Sequence, residues 1–128
     1  METPGVWTMR SGLQTHKGRQ FFFCDYVDLE TDQLQAELNA VDAFIMQQLL
    51  GSVLILSDVR DVSATRENIG MFIKSVQHTK RYLRKSAVIG IEFSGQRKVL
   101  FDAVMRITGG NMTLFNDLEQ AKDWLVEG

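Results

Sequence analysis

Residues 86–125 read SAVIGIEFSGQRKVLFDAVMRITGGNMTLFNDLEQAKDWL, and this stretch decides the fold. It opens on an apolar, β-rich run, Ala87 to Phe93, that breaks at Ser94-Gly95. Val99, Leu100, Ala103, Val104 and Ile107 then recur at helical spacing. Gly109-Gly110-Asn111 follows, and such residues tolerate the left-handed backbone that ends a helix. The pattern repeats at once: Met112 to Phe115 predicts a strand, Asn116 or Asp117 a cap, and Leu118, Ala121, Trp124 and Leu125 the buried face of a last helix. Successive strand-then-helix units on short connections mark an α/β domain, because parallel neighbours need crossover helices.

The same grammar extends upstream. Val53 to Ser57 (VLILS) is a short, continuously apolar run, the form of a central strand covered on both faces. Ahead of it, Thr31 or Asp32 predicts the cap of a helix carrying Leu34, Leu38, Val41, Ile45 and Leu49, ended by Gly51-Ser52. After the loop Asp58 to Val62, Ser63 or Thr65 caps a second helix with Ile69, Phe72, Ile73, Val76 and Leu83 on one face, expected to run to about Arg84. Val6 to Met9 and Gln20 to Val27 are β-rich and separated by Arg10 to Arg19, which predicts an N-terminal hairpin preceded by Pro4. The expected architecture is a single α/β domain over 1–128: a mixed, mainly parallel sheet with an N-terminal β-hairpin and four helices.

From Val53 onward the chain resembles the STAS/SEC14-type small bacterial proteins with a SpoIIAA-like fold. The pieces that carry the resemblance are VLILSDVRDV, SAVIGI, GQRKVLFDAVMRITGG and MTLFNDLEQAKDWL, about three-fifths of the chain. The resemblance implies a non-catalytic regulatory or protein-interaction module, or alternatively a carrier or sensor of a small anionic or lipid-like ligand. The family's anti-sigma factor antagonists use a serine at the start of a helix as a phosphorylation switch. Here that position falls near Glu67 or Asn68, and the Asp-Ser-Ser-Gly pattern is absent. Only Ser63 and Thr65 remain as phosphoacceptor candidates, and either is equally explained as a helix cap.

Composition bounds these readings. Hydrophobic residues make up 45% and charged residues 23% of 128, with a net charge of -2, which suits an ordinary globular domain and supplies no general attraction to nucleic acid. Cys24 is the only cysteine, so no intramolecular disulfide forms and no cysteine pair has metal-ligand spacing. METPGVWTMR lacks an apolar core of signal-peptide length and no run approaches the ~20 apolar residues of a membrane span, so a cytoplasmic protein without a transmembrane segment is expected. No cofactor and no metal are expected.

Four constellations admit a functional reading. Ser94, Gly95, Arg97 and Lys98 open the third helix, where cations oppose the helix dipole and a bound anion would justify them; solvated surface cations explain them as well. Polar residues collect at strand C-termini, where open α/β sheets bind ligands; Ser57 and Asp58 are the candidates there, and a Mg²⁺ site from Asp58 with Asp25 lacks a motif. Lys74, His78, Arg81 and Lys85 fall at helical spacing and predict a basic face for an acidic partner or an anionic membrane surface. Phe21 to Tyr26 alternates aromatics toward both sides of a strand; if helices cover only one side, the other set becomes a self-association or lipid-binding surface, a homodimer being the first of these outcomes. His16 and His78 are the only histidines, and neither has a partner at triad spacing, so no catalytic residue is assigned.

Overall fold

The computed structural model describes residues 7–127. The first hairpin pairs β1 (Gly12–His16) with β2 (Arg19–Asp25) in antiparallel register, Leu13 opposite Phe22. Its turn is the two residues Lys17 and Gly18, both at positive φ (50° and 80°), which matches the twist of paired strands. The first strand therefore lies inside the stretch expected to be loop. Ser11-Gly12 is not a turn, and 7–10 has no regular structure; Pro4 and Val6 lie outside the described residues.

The chain continues through α1 (Thr31–Ile45), β3 (Val53–Asp58), α2 (Arg66–Thr79), a 3₁₀ turn (Lys80–Tyr82), β4 (Leu83–Ile89), α3 (Gln96–Thr108), β5 (Thr113–Phe115) and α4 (Leu118–Val126). Strand order is β1-β2-β3-β4-β5, with every pair after the first parallel. The mixed, mainly parallel sheet, its hairpin and the four helices stand as the sequence predicts. Each of the three crossovers advances one strand in the same direction. Right-handed connections of that kind put their helices on one face. Leu34, Leu38, Val41 and Ile45 of α1 pack there with Phe22, Cys24, Val53, Ile55 and Val88, joined by Phe72 and Phe101. Ala121 and Leu125 of α4 cover the opposite face over Phe21, Leu54, Leu56, Ala87 and Ile89. VLIL is continuously apolar because β3 is the middle strand between two helix layers.

Coverage of both faces removes the basis for an aromatic self-association patch: Phe22 is buried beneath α1 and Phe21 beneath α4. Other expectations shift at element ends. Glu30 caps α1 through a reciprocal box with Gln33, in place of Thr31 or Asp32. The helix stops at Ile45, so Leu49 lies beyond it with 81% exposure. The second helix stops at Thr79 instead of Arg84; Leu83 opens β4 and packs as a strand residue. Arg97 and Lys98 do open α3, Gly109 ends it in the left-handed region (φ 69°), and Asp117 caps α4 by accepting from the Gln120 amide at 3.0 Å. On α3 the predicted apolar stripe divides: Val104 is buried, whereas Val99 and Ile107 are 65% and 63% exposed. Among the described residues no helix is long and apolar enough to cross a membrane.

Candidate functional site

Beneath α2, between the three-helix layer and the sheet, lies an apolar cavity of about 130 Å³. Its floor is Ile55, Val59 and Val88 and its roof is drawn from α2 and α3, chiefly Phe72, Val76, Leu100, Phe101 and Val104. Close-packed interiors rarely leave voids larger than a water molecule. The cavity arises where α3, the outermost helix of its layer, contributes mostly half-buried side chains at Leu100, Phe101 and Met105. Among the lining residues Ser63 and Ala64 are the most exposed, the others being buried or half-buried, so the lining opens most at the β3–α2 connection, which forms its mouth.

That mouth is built by polar contacts the sequence places far apart. The Arg97 guanidinium donates to the carbonyls of Val62 (2.6 Å), Val59 (3.3 Å) and Gly90 (3.4 Å), tying the start of α3 to the β3–α2 connection. Asn68, buried, donates from Nδ2 to Ser63 O (2.8 Å) and accepts on Oδ1 from Thr31 Oγ1 (2.9 Å). Thr65 caps α2, its Oγ1 accepting from the Asn68 amide at 3.1 Å. Gly90 completes the frame: at φ 109° a Cβ there would stand 2.6 Å from Arg60 N, so glycine alone fits.

At the other end of the cavity Asp42 of α1 accepts from Ser75 Oγ at 2.6 Å and faces His78 Nδ1 at 3.7 Å. Burial raises the Asp42 carboxyl above its ordinary value, opposed by the Ser75 bond and by His78. On the cavity face of β2, burial pushes the Cys24 thiol up to about 12 and raises the Tyr26 phenol as well.

The residues singled out in the sequence fall into separate places. Ser57 and Arg97 line the cavity, and Ser63 stands exposed at its mouth. Ser94 and Gly95 are exposed at the start of α3, where Gly95 caps the helix without a side-chain bond. Lys98 is held by Asp102 at 2.7 Å, which offsets its unfavourable position on the dipole. Asp58 is buried and turned into a bidentate bond with Arg60, while its register neighbour Asp25 pairs with Arg10 at 2.8 Å; each carboxylate already has a guanidinium partner. Among the described residues no cluster of three or more His, Cys, Asp or Glu side chains is arranged to hold a metal.

The single-helix basic face does not form, because α2 ends before half of its members. Lys74 and His78 lie on α2, Arg81 lies in the 3₁₀ turn, and Lys85 lies on β4 with its side chain on the opposite sheet face. There the Lys85 ammonium donates to Trp124 O at 2.6 Å and stands 4.7 Å from the Trp124 ring centroid.

Sequence reasoning passed over Glu37, Asp42, Ser75 and Gly90, and met Asn68 only beside the missing phosphorylation switch. Glu37 carried a signal, a lone acid on the Leu34-Leu38-Val41 stripe. It is fully buried and accepts from Trp7 Nε1 (2.6 Å), Arg10 N (3.1 Å), Ser11 N (2.8 Å) and Ser11 Oγ, fastening 7–11 to α1. Comparison with protein-family models, curated proteins and solved structures finds no match to this chain.

Proposed function

We propose that the protein is a non-catalytic binding module that takes up a small, mostly apolar molecule under α2. One observation carries the reading, the apolar cavity with its most exposed lining at Ser63 and Ala64. Ligand sites in small domains are concave, largely apolar and fixed by a few polar groups, and this cavity has that character. Its volume narrows the lipid-like ligand that the family resemblance implies. A dry cavity of about 150 Å³ in another protein takes up benzene, so about 130 Å³ suits a ring or short chain of roughly six heavy atoms, not a complete acyl lipid. Absence of catalysis is the simpler reading because Ser75 donates to Asp42 and not to a histidine base, which leaves it unactivated.

Thermal denaturation with toluene or benzyl alcohol tests the reading. At a hundredfold excess over Kd, binding adds about 2.7 kcal/mol, which for a domain of this size raises the midpoint by about 10 °C. Val104→Phe fills the cavity and removes the shift. No shift with wild type, or an equal shift with the filled variant, rules the reading out.

A regulatory module acting through a protein partner is the second reading. It is favoured by exposed apolar side chains, Val99 and Ile107 on α3 and Leu50 at the α1–β3 turn. Cross-linking of wild type and of Val99→Asp/Ile107→Asp in cells separates the cases: an unchanged set of cross-linked partners removes α3 from the account.

A further inference from the structure

We propose that the molecule taken up by the cavity is a small acid, bound with its anionic head at Arg97 and its apolar body under α2. The inference rests on the cavity being a binding site and adds the chemical class and orientation of its occupant.

The mouth carries the argument. Ser63 and Ala64 are the exposed lining residues, and the Arg97 guanidinium is fixed one residue away on Val62 O. An entering molecule therefore leaves its last atoms beside a cation. That cation is half-buried, and its partners are three backbone carbonyls; among the described residues no carboxylate lies within ion-pairing distance of it. Carbonyl dipoles stabilise a guanidinium without neutralising it, and a partly desolvated charge gains from a counter-ion. Arginine carries five N–H donors in a planar fork. The three carbonyls engage Nη1 once and Nη2 twice, which leaves the Nε–H without a hydrogen-bond partner among the described residues. A carboxylate is the acceptor that gains most from such an N–H, because the bond is charge-assisted on both sides.

The opposite end fixes the orientation. Val62 and Ser63 follow the C-terminal end of β3, whereas Met112 precedes β5 and Thr79 ends α2, at the other edge of the parallel sheet. Asp42 lines that far end, so an anion placed there meets a carboxylate, and one placed at the mouth meets a cation. Leu83, Met105 and Met112 close the far end. Methionine fits its unbranched thioether to irregular shapes, so the tail end accepts variation while the head end is fixed.

Titration calorimetry with benzoate, benzyl alcohol and benzylamine, which share one ring and differ in head group, tests the assignment. Benzoate is expected to bind at least tenfold more tightly than either of the others, and Arg97→Gln to weaken benzoate at least tenfold more than it weakens benzyl alcohol. If benzyl alcohol binds and benzoate binds no better, the acid assignment is overturned and the apolar cavity stands. If Val104→Phe leaves benzoate binding unchanged, the acid sits on the surface and the inference is likewise overturned. If neither these probes nor toluene binds, the cavity reading falls and this inference with it. Should Arg97→Gln fail to fold, the wild-type ranking and the Val104→Phe result still decide.

Discussion

Replacing Glu37 tests how the first described residues are held to the domain. Both carboxylate oxygens face donors only: Oε1 accepts from Trp7 Nε1 and Arg10 N, and Oε2 from Ser11 N and Ser11 Oγ. Ser11 Oγ already accepts from the Asp25 amide at 2.9 Å, and if it accepted from a new NH₂ as well its own O–H would lose the acceptor that Glu37 provides. In Glu37→Gln, whichever way the amide turns, an NH₂ opposes two donors, and a backbone N–H, part-buried at Arg10 or buried at Ser11, loses its acceptor. An unsatisfied buried donor costs about 1–3 kcal/mol and a lost charge-assisted bond adds to it, so the expected loss is about 2–4 kcal/mol. Glu37→Ala strips all four donors and leaves a void, for about 3–5 kcal/mol. At about 4 °C per kcal/mol the glutamine variant melts about 8–16 °C lower. Thermal and urea unfolding measure this, with the exposed Glu119→Gln as control, and amide exchange at Arg10 and Ser11 localises it. A glutamine variant melting within about 2 °C of wild type, with both amides still protected, refutes the reasoning.

Four further outcomes follow from the same geometry. Gly90→Ala combines a positive φ with a Cβ 2.6 Å from Arg60 N, so it is expected to cost about 3 kcal/mol in urea unfolding; a loss below about 1 kcal/mol removes the close approach. Thr65→Ala deletes the α2 cap and should cost about 1 kcal/mol, while Ser63→Ala, exposed at the mouth, stays within about 0.5 kcal/mol; the reverse order contradicts the assigned cap. The Asp42 carboxyl is raised by burial, so the folded state holds its proton to higher pH than the unfolded chain does, and this group's contribution to stability falls as pH rises through the window above its ordinary 3.8. Asp42→Asn should therefore gain on wild type between pH 4 and 7 and show no such gain below pH 3.5; a difference independent of pH counts against that assignment. Cys24, buried with its thiol pushed up to about 12, should react with Ellman's reagent only on unfolding, and fast labelling of the native protein at pH 8 would contradict its placement.

Local pattern carried most of the fold. Helical spacing in α1 and α3, the left-handed Gly109, the Asp117 cap and the doubly apolar VLIL were all legible because each depends on neighbours a few residues away. Where the reading slipped, a competing local preference was overridden at longer range. The run Ile69 to Leu83 keeps helical spacing to its end, yet Leu83 pairs with Val53 and the chain enters β4 there, which scattered the four basic residues onto a helix, a turn and a strand. Gly12 to His16 was hidden by its polar residues, which an edge strand tolerates on its solvent side.

By itself the sequence determined the class of the domain: an α/β chain with a central apolar strand, an N-terminal hairpin and four helices, in that order. It also marked the start of α3 as the place where charge sits awkwardly. Only the tertiary structure decided what Arg97 does, because its partners Val59 and Val62 lie far along the chain. Lys98 closed on Asp102 within its own helix, whereas Arg97 reached back to Val62 across 35 residues. The cavity has the same origin. Most residues around it are ordinary core residues in their own segments, and the unfilled volume exists only between three helices and a sheet once they are brought together.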